Sequence, residues 1–489
     1  MKKLTSVQLT TLRADFTASL VVFLVAVPLC VGVAVASGVP AELGLVTGIV
    51  GGLLTGLLPG SSLQVSGPAA GLTVLVFEAV KEYGLGALGA LVLAAGVLQL
   101  AMGALKLGRW FRAISVAVVQ GMLAGIGLVL IAGQLYALTD AKAPGSGLAN
   151  IGSLPGLVAD TVGSGSALSA FAIGGGTIAV LVLWPRWRRA ARVLPAPLAA
   201  VALATTAVWV LDLPVARVKV SGLLGAIQPP GLSDLGRLAD VGVLGTVLAF
   251  ALIASAESLF SAAAVDRLHD GPRTNYDKEL MAQGAGNAVC GVLGALPMTA
   301  VIVRSAANVQ AGAKTKASRV LHGAWLLLFA AAFPAALGVV PVAALAGVLV
   351  HAGCKLIPVR DLRPLWRDHR GEAVVLFVTA IAIVTINMFE GVLIGILAAV
   401  AKTAWETSHV HLDVHTPDDD EEPVLVRAVG NATFLRLPKI LDQLDALPAD
   451  RDIELDLSGL RHLDHACGAA LTNWAEQHRR SRRAVELVS

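Results

Sequence analysis

Long apolar segments separated by short polar ones fill most of the chain. An α-helix needs about 17 to 25 apolar residues to cross a bilayer. The pattern predicts fourteen such segments, at about 15–36, 41–59, 66–82, 86–105, 111–137, 168–184, 195–211, 243–264, 279–296, 298–311, 318–338, 341–357, 371–387 and 389–407. The third and tenth are the short ones. The pattern therefore predicts a polytopic α-helical membrane protein.

The tenth segment begins beside a Gly/Pro break and carries polar side chains. It follows Gly294-Ala-Leu-Pro297 and contains Thr299, Arg304 and Asn308. We expect an extended piece that starts a short helix at Met298 or Thr299. The free N–H groups and positive dipole end of such a helix form an anion site. Irregular backbone in a membrane is tolerated only where it lines a protein cavity.

The third segment has the same plan. Its start reads Gln64-Val-Ser66-Gly67-Pro68-Ala-Ala-Gly71, again Gly and Pro in front of a short apolar helix. Two short, interrupted segments at matching places in two halves indicate the binding site of a transporter. The alternative is two ordinary kinked spans.

Composition supports a membrane protein. Hydrophobic residues make up 56% of the 489 residues, charged residues 15%, and the mean hydropathy is +0.75, whereas a soluble domain carries more charge. The basic residues lie in short loops, so the net charge of +3 does not indicate nucleic-acid binding. The four cysteines form no CxxC pair, so we expect neither a disulfide nor a metal site. No hydrolase triad, Walker loop or dinucleotide fingerprint is present, so we expect no enzyme.

Basic loops predict the orientation. With the N-terminus inside, alternate loops are rich in Lys and Arg, as the positive-inside rule requires. The basic loops contain Lys106, Arg109, Arg112, Arg186, Arg188, Arg189, Arg192, Arg267, Arg273, Lys278, Lys314, Lys316, Arg319, Lys355, Arg360, Arg363, Arg367 and Arg370. This predicts an inner (plasma) membrane protein with both termini in the cytoplasm.

A linker at about 212–242 divides the fourteen segments into seven and seven. Because seven is odd, the halves enter the membrane in opposite senses, which is an inverted repeat. We expect a transmembrane domain at 1–410, with repeats at about 13–212 and 240–410.

The composition changes near residue 410. An acidic linker is predicted at 411–423, and His409, His411 and His415 are interpreted as solvated residues, not metal ligands. Residues 424–489 alternate short strands with two helices, which predicts a small cytoplasmic α/β domain.

Two spans carry the candidate chemistry. Glu257 lies inside the eighth segment, where an ionisable group is costly and is a functional candidate. Ser261 is one turn further on, so the two could bind a cation, or Glu257 could exchange a proton. Arg304 could stabilise an oxyanion with paired donors, be neutralised by Glu257, or snorkel to the membrane edge. Glu42 is interpreted as a solvated loop charge and His351 as a core residue.

These motifs resemble the sulfate permease (SulP) family of anion transporters. The similar stretches are Ala26-Val-Pro28-Leu with Gly38-Val-Pro40-Ala-Glu42, Gln64-Val-Ser66-Gly67-Pro68, Glu257-Ser258-Leu259, Gly286-Asn287 and Pro297-Met-Thr299 with Arg304-Ser305-Ala-Ala-Asn308. Residues 424–489 resemble a STAS domain through Leu455-Asp456-Leu457-Ser458-Gly459 and Leu463-Asp464. His465 and Ala466 follow Asp464 where that domain often has Ser or Thr, so phosphorylation is not expected there.

The resemblance implies a 7+7 inverted repeat with a core domain, a gate domain and a homodimer. It implies that the anion lies between the starts of the third and tenth helices, near Ala69, Ala70, Met298 and Thr299. We also expect Ser66 and Arg304 to contribute to the anion site. In sodium-coupled bicarbonate members an acidic and a hydroxyl residue of the eighth span help to bind sodium, and Glu257 and Ser261 look like those positions.

The predicted function is therefore secondary active transport of a small oxyanion, sulfate or bicarbonate, coupled to protons or sodium by alternating access. A dicarboxylate transporter of the same fold, a channel, and a membrane anion sensor that signals through the STAS domain are the alternatives. No resident cofactor is expected.

Overall fold

The computed structural model describes residues 6–113, 115–187, 194–220, 222–417, 422–448, 451–480 and 485–488. The chain divides into two compact units, Met1–Ile396 and Leu397–Ser489. Arg188, Arg189 and Arg192 of the predicted basic loop and residues 418–421 of the predicted acidic linker lie outside the described residues.

Helices dominate the first unit. In chain order they are α1 Ser6–Ala36, α2 Ala41–Val50, α3 Thr73–Tyr83, α4 Leu85–Ala104, α5 Val116–Ala137, α6 Gly147–Gly152, α7 Leu154–Gly163, α8 Gly165–Leu183, α9 Ala196–Val210, α10 Leu223–Ala226, α11 Leu232–Gly236, α12 Val241–Val265, α13 Tyr276–Val292, α14 Ile302–Gln310, α15 Ala317–Ala332, α16 Ala335–Gly338, α17 Val342–Leu356, α18 Val359–Asp368, α19 Arg370–Thr385 and α20 Met388–Thr407. Two short strands, β1 Ser66–Pro68 and β2 Met298–Ala300, lie among them. α20 runs across the boundary into the second unit.

Each of the fourteen predicted apolar segments contains a helix. Seven helical stretches of the described residues are long and apolar enough to cross a membrane, and three apolar helices are shorter. The count of fourteen spans and the inverted repeat stay predictions. Segment 359–368, predicted as part of a basic loop, is helical instead.

Glycines let α4 and α13 approach each other closely. A Cβ added to Gly284 would lie 2.7 Å from the backbone nitrogen of Leu100, which no real packing allows. Small residues permit such close packing of membrane helices. This contact fixes the position of Asn287, which lies on the same stretch of α13.

The second unit contains a five-stranded sheet. Its strands are β3 Val410–His415, β4 Val424–Ala432, β5 Ile453–Asp456, β6 Leu460–Leu463 and β7 Val485–Val488, and its helices after α20 are α21 Leu437–Asp445 and α22 His465–Arg480. β3 pairs antiparallel with β4, whereas the other pairings are parallel. The α/β character predicted for 424–489 is confirmed.

The linker predicted at 411–423 is wrong for its first residues. β3 occupies 410–415 and forms an edge of the sheet. Leu412 is buried in the core of this unit, whereas His411 and Asp413 on either side are exposed. The alternation of faces along a strand explains why a histidine-rich stretch forms regular structure.

Candidate functional site

The two Gly/Pro breaks meet in space. β1 and β2 pair antiparallel, with Gly67 opposite Thr299 and Pro68 opposite Met298. The helix expected to start at Met298 or Thr299 begins at Ile302 instead. Residues 298–300 are held as a strand because their backbone pairs with β1, and the N–H of Val301 donates to the carbonyl of Val65 at 2.9 Å.

Buried side chains hold β2 from one side. Asn287 of α13 accepts a hydrogen bond from the Met298 N–H at 2.7 Å and donates to the Met298 carbonyl at 3.0 Å. The Ala300 N–H donates to the hydroxyl of Ser258, on α12, at 3.2 Å. The backbone polar groups of β2 are therefore satisfied by fixed partners, as buried groups require.

β1 and the residues before it are held in the same way. The Val65 N–H donates to the Ser305 hydroxyl at 2.9 Å, and Gln64 donates to the Ser258 carbonyl at 2.8 Å. The Ser66 hydroxyl accepts a hydrogen bond from Gln283 at 2.8 Å. The strand pair is thus a rigid support from which α3 and α14 start.

A cavity of about 70 Å³ lies in front of this support. The starts of α3 and α14 and one face of α12 form one wall, and α1, α5 and α17 form the other. The lining residues are Leu29, Val33, Pro68, Ala70, Gly71, Val119, Met122, Leu123, Glu257, Phe260, Ser261, Val301, Ile302, Val303, Arg304, Ala352 and Leu356. A single water needs about 10–15 Å³ by such a measure, so the space admits a small anion.

Backbone donors of a helix start face this region. The N–H groups of Ile302, Val303 and Arg304 belong to the first turn of α14 and have no acceptor within the helix. Together with the helix dipole they favour negative charge. The cavity therefore has the chemistry of an anion site at its α14 wall.

Glu257 supplies a carboxylate to the opposite part of the same wall. Its Oε2 is buried and has no hydrogen-bond partner among the described residues. A Cβ added to Gly71, at the start of α3, would lie 2.8 Å from Oε1, so the carboxylate lies against this glycine. Ser261, one turn along α12, also lines the cavity.

Arg304 is fully buried, with a relative exposure of 0%. Its guanidinium lies beneath β1, since a Cβ added to Gly67 would collide with Nη1. Nε and Nη1 have no hydrogen-bond partner among the described residues. Cys30 and His322 lie close to the guanidinium. A protonated thiol and a neutral imidazole are uncharged, so neither residue supplies a negative charge to Arg304.

No ion pair between Arg304 and Glu257 is found in the described part of the chain. The interpretation of Glu257 as a structural partner of Arg304 therefore gains no support. A buried charge without an ion-pair partner is costly. The guanidinium therefore favours the binding of an anion nearby.

The predicted site residues fall into two groups. Ala70, Glu257, Ser261 and Arg304 line the cavity. The other four, which belong to the strand pair or its ends and are buried behind the cavity wall, are Ser66, Ala69, Met298 and Thr299. Their roles in anion binding stay predictions.

Sequence reasoning missed a buried polar cluster behind β1. Glu279 accepts hydrogen bonds from the Ser61 N–H and from Gln283, both at 2.7 Å. Arg319 of α15 donates to three backbone carbonyls of residues 56–64. The signal was present, since Glu279, Gln283 and Asn287 recur every four residues and so share one face of α13.

Glu42 is not a solvated loop charge. It lies in the first turn of α2 with 2% relative exposure, and its Oε1 accepts a hydrogen bond from the Gly222 N–H at 2.9 Å. The acceptor role explains the burial, because the carboxylate holds residue 222 of the segment between α9 and α12. No local pattern of residues indicates that this distant segment returns to α2.

Comparisons with known proteins identify the family. A profile of the sulfate permease family matches residues 12–379, and a profile described as "Mlab, STAS domain" matches residues 415–489. The bicarbonate transporter BicA of Synechocystis sp. is 26% identical, over 88% of this chain and 79% of that protein. The putative sulfate transporter YvdB of Bacillus subtilis is 28% identical, over 79% of this chain and 72% of that protein.

Solved structures share the fold. The transmembrane domain of a cyanobacterial BicA matches with a TM-score of 0.67 and 22% identity, over 80% of this chain and 97% of that one. The murine anion transporter Slc26a9 in its inward-facing state matches with a TM-score of 0.76 and 15% identity, over 99% of this chain and 86% of that one.

Proposed function

The chain belongs to the sulfate permease family and carries a STAS domain at its C-terminus, and we propose that it moves a small oxyanion, sulfate or bicarbonate, across the membrane by cation-coupled secondary transport. Members of this family are transporters and not enzymes. The named relatives include a bicarbonate transporter and a putative sulfate transporter, which supports anion transport.

The observation that carries the proposal is a buried arginine beside a cavity at a helix start, with no acidic partner among the described residues. Arg304 brings a full positive charge, and the first turn of α14 brings backbone donors. An oxyanion accepts hydrogen bonds from such donors and balances the charge, whereas an uncharged solute does neither. This chemistry favours an anion over a neutral substrate such as a nucleobase.

Glu257 explains why transport of the anion would be coupled to a cation. With Glu257 ionised, the formal charges of Glu257 and Arg304 sum to zero, and an arriving anion makes the site negative. A sodium ion held by Glu257 and Ser261, or a proton taken up by Glu257, restores the balance. Anion and cation therefore bind more tightly together than apart, which is the thermodynamic requirement for cotransport.

The transport cycle follows from the rigid support. We propose that α3, α12, α14 and the strand pair move as one body against α5 and α17, so that the cavity between them opens to each side in turn. We also propose that the protein works as a homodimer with both termini in the cytoplasm.

Uptake into proteoliposomes tests the proposal. Labelled bicarbonate and labelled sulfate are offered separately, with an inward sodium gradient or an inward proton gradient. We expect one of the two anions to accumulate under one of the two gradients. Bicarbonate uptake that needs sodium would assign Glu257 and Ser261 to a sodium site, and sulfate uptake that needs protons would make Glu257 the proton carrier. Accumulation of neither anion would overturn the proposal.

A further inference from the structure

A short basic helix lies between two membrane helices. α18 connects α17 to α19, and the sequences of both neighbouring helices are mostly apolar. None of its residues is buried. A charged helix between two apolar membrane helices is expected at the membrane surface, where its faces meet lipid headgroups, water and the neighbouring helices.

The side chains of α18 are sorted by face. Arg360, Arg363 and Arg367 recur at spacings of three and four and form one stripe, called here the arginine stripe. Val359 and Trp366 form an adjoining apolar strip, with relative exposures of 65% and 51%. An apolar strip beside a cationic stripe is the pattern of a helix that lies in the interface of a bilayer.

Trp366 fixes the depth of α18. Its ring meets the ring of Phe377 edge-on, with centroids 6.1 Å apart. Phe377 lies about 10 Å along α19 from its first residue, at 1.5 Å per residue. The indole therefore extends along the flank of a membrane helix, and tryptophan prefers the boundary between headgroups and hydrocarbon.

An apolar groove of about 230 Å³ opens beneath the same helix. It is called here the α18 groove and is lined by Ala124, Leu128, Ile357, Pro358, Leu362, Leu376, Phe377, Ala380, Ile381, Val384 and Thr385. Leu128 and Ile381 are 42% and 59% exposed, so the groove is open at the surface of this chain. Leu362 lies next to Arg363 in the chain, which joins the groove to the arginine stripe.

We propose that α18 is a binding site for an anionic phospholipid, with the headgroup phosphate on the arginine stripe and an acyl chain in the α18 groove. Charge and shape both select this occupant. The guanidinium groups pair with phosphate oxygens. The apolar lining of the groove favours a hydrocarbon chain and provides few partners for a polar ligand. Arg367 also forms an exposed ion pair with Asp368 at 2.8 Å, which phosphate can replace because such pairs are weak.

Lipid binding to the purified full-length protein tests the site without any transport assay, so its outcome is independent of the proposed function. Phosphatidylglycerol and phosphatidylcholine with identical acyl chains are titrated separately, and native mass spectrometry counts the bound lipids. The wild type is expected to prefer phosphatidylglycerol. Arg360→Gln/Arg363→Gln/Arg367→Gln is expected to weaken phosphatidylglycerol binding about 100-fold.

Control variants separate charge, groove and folding. Lys142→Gln/Lys219→Gln/Lys439→Gln removes three exposed positive charges elsewhere and is expected to bind as the wild type does. Replacement of all three arginines of the stripe by lysine keeps the charge and is expected to keep most of the preference. Leu128→Trp fills the groove from α5 and is expected to weaken binding with the arginine stripe intact.

Three results would overturn the proposal. The first is equal binding of both lipids by the wild type, which would indicate that the arginine stripe binds a protein partner instead. The second is Leu128→Trp binding with wild-type affinity. The third is displacement of phosphatidylglycerol by millimolar glycerol phosphate, which would make the stripe a site for a free phosphate ester. If the glutamine variant fails to fold, the lysine and tryptophan variants still decide.

Discussion

Two buried arginines of this protein should respond in opposite ways to the same substitution. Arg304 and Arg319 have relative exposures of 0% and 2%. Arg319 donates to the carbonyls of Gly56, Leu58 and Gln64 at 3.0, 3.1 and 3.3 Å. Within the described part of the chain, Nε and Nη1 of Arg304 have no hydrogen-bond partner. Arg319 therefore holds the backbone before β1, whereas we propose that the charge of Arg304 serves a bound anion.

Arg319→Gln should destabilise the protein. The Leu58 carbonyl keeps a second donor, since Lys316 also binds it at 2.9 Å. Two buried carbonyls, of Gly56 and Gln64, lose their guanidinium donor. Each unsatisfied group costs about 1–3 kcal/mol. The expected loss is therefore about 3 kcal/mol in the free energy of unfolding, with a lower melting temperature in detergent.

Arg304→Gln should leave the anion-free protein at least as stable, because it removes a buried guanidinium that forms no ion pair among the described residues. The cost should fall on anion binding. If the anion binds about 5–10 Å from the guanidinium, the Coulomb interaction contributes roughly 1.7–3.3 kcal/mol at an effective dielectric constant of 20. The dissociation constant should rise about 20- to 200-fold.

Thermal unfolding in detergent, with and without the transported anion, measures both effects. At 100 times its dissociation constant a ligand stabilises the wild type by about 2.7 kcal/mol, and most of this gain should vanish in Arg304→Gln. Arg319→Gln should melt earlier without anion and still gain stability with it. If Arg304→Gln melts as early as Arg319→Gln and keeps the full anion-dependent gain, the assignment of its charge to the anion is wrong.

Three further predictions concern other parts of the protein. Asn287→Ala removes both hydrogen bonds to the backbone of β2 and should lower the free energy of unfolding by about 2 kcal/mol or more, as chemical denaturation would show; an unchanged value would contradict the role of this side chain. Gly71→Ala places a methyl group against Glu257 and should slow gradient-driven uptake, whereas Gly175→Ala, where a Cβ meets nothing within 4 Å, should not. Asp464 accepts a hydrogen bond from the backbone N–H of Cys467, at the start of α22, and another from that of Phe434, and these bonds lower the pKa of this carboxyl. Its stabilising effect is therefore present above the unfolded pKa and lost as pH falls through the folded one. Asp464→Ala should lower the free energy of unfolding by about 1 kcal/mol at neutral pH and leave it unchanged at a pH below the folded pKa. Melting curves at several pH values would test this.

Much of the fold could be predicted from the sequence, because apolar runs of membrane length are compatible with few structures other than membrane helices. Every predicted segment contains a helix, and Glu257, Ser261 and Arg304 were identified from their place in apolar surroundings. Such signals are local, since they depend on composition within a few turns of helix.

What could not be predicted depends on distant pairings. The helix start at Ile302 is set by a strand more than 200 residues earlier in the chain. The hydrogen bond from Gly222 explains the burial of Glu42, and pairing with β4 explains why β3 forms a regular strand. α18 was taken for a loop because its arginines dominated the interpretation, although their spacing of three and four is helical.

The measurement that tests the central claim most directly compares two modes of transport in Glu257→Gln. One mode is accumulation driven by a sodium or proton gradient, and the other is exchange of labelled for unlabelled anion without any gradient. If Glu257 couples the cation to the anion, the variant loses gradient-driven accumulation while exchange continues. Gradient-driven accumulation at the wild-type rate would contradict the account, because the carboxylate beside the cavity would then have no part in coupling.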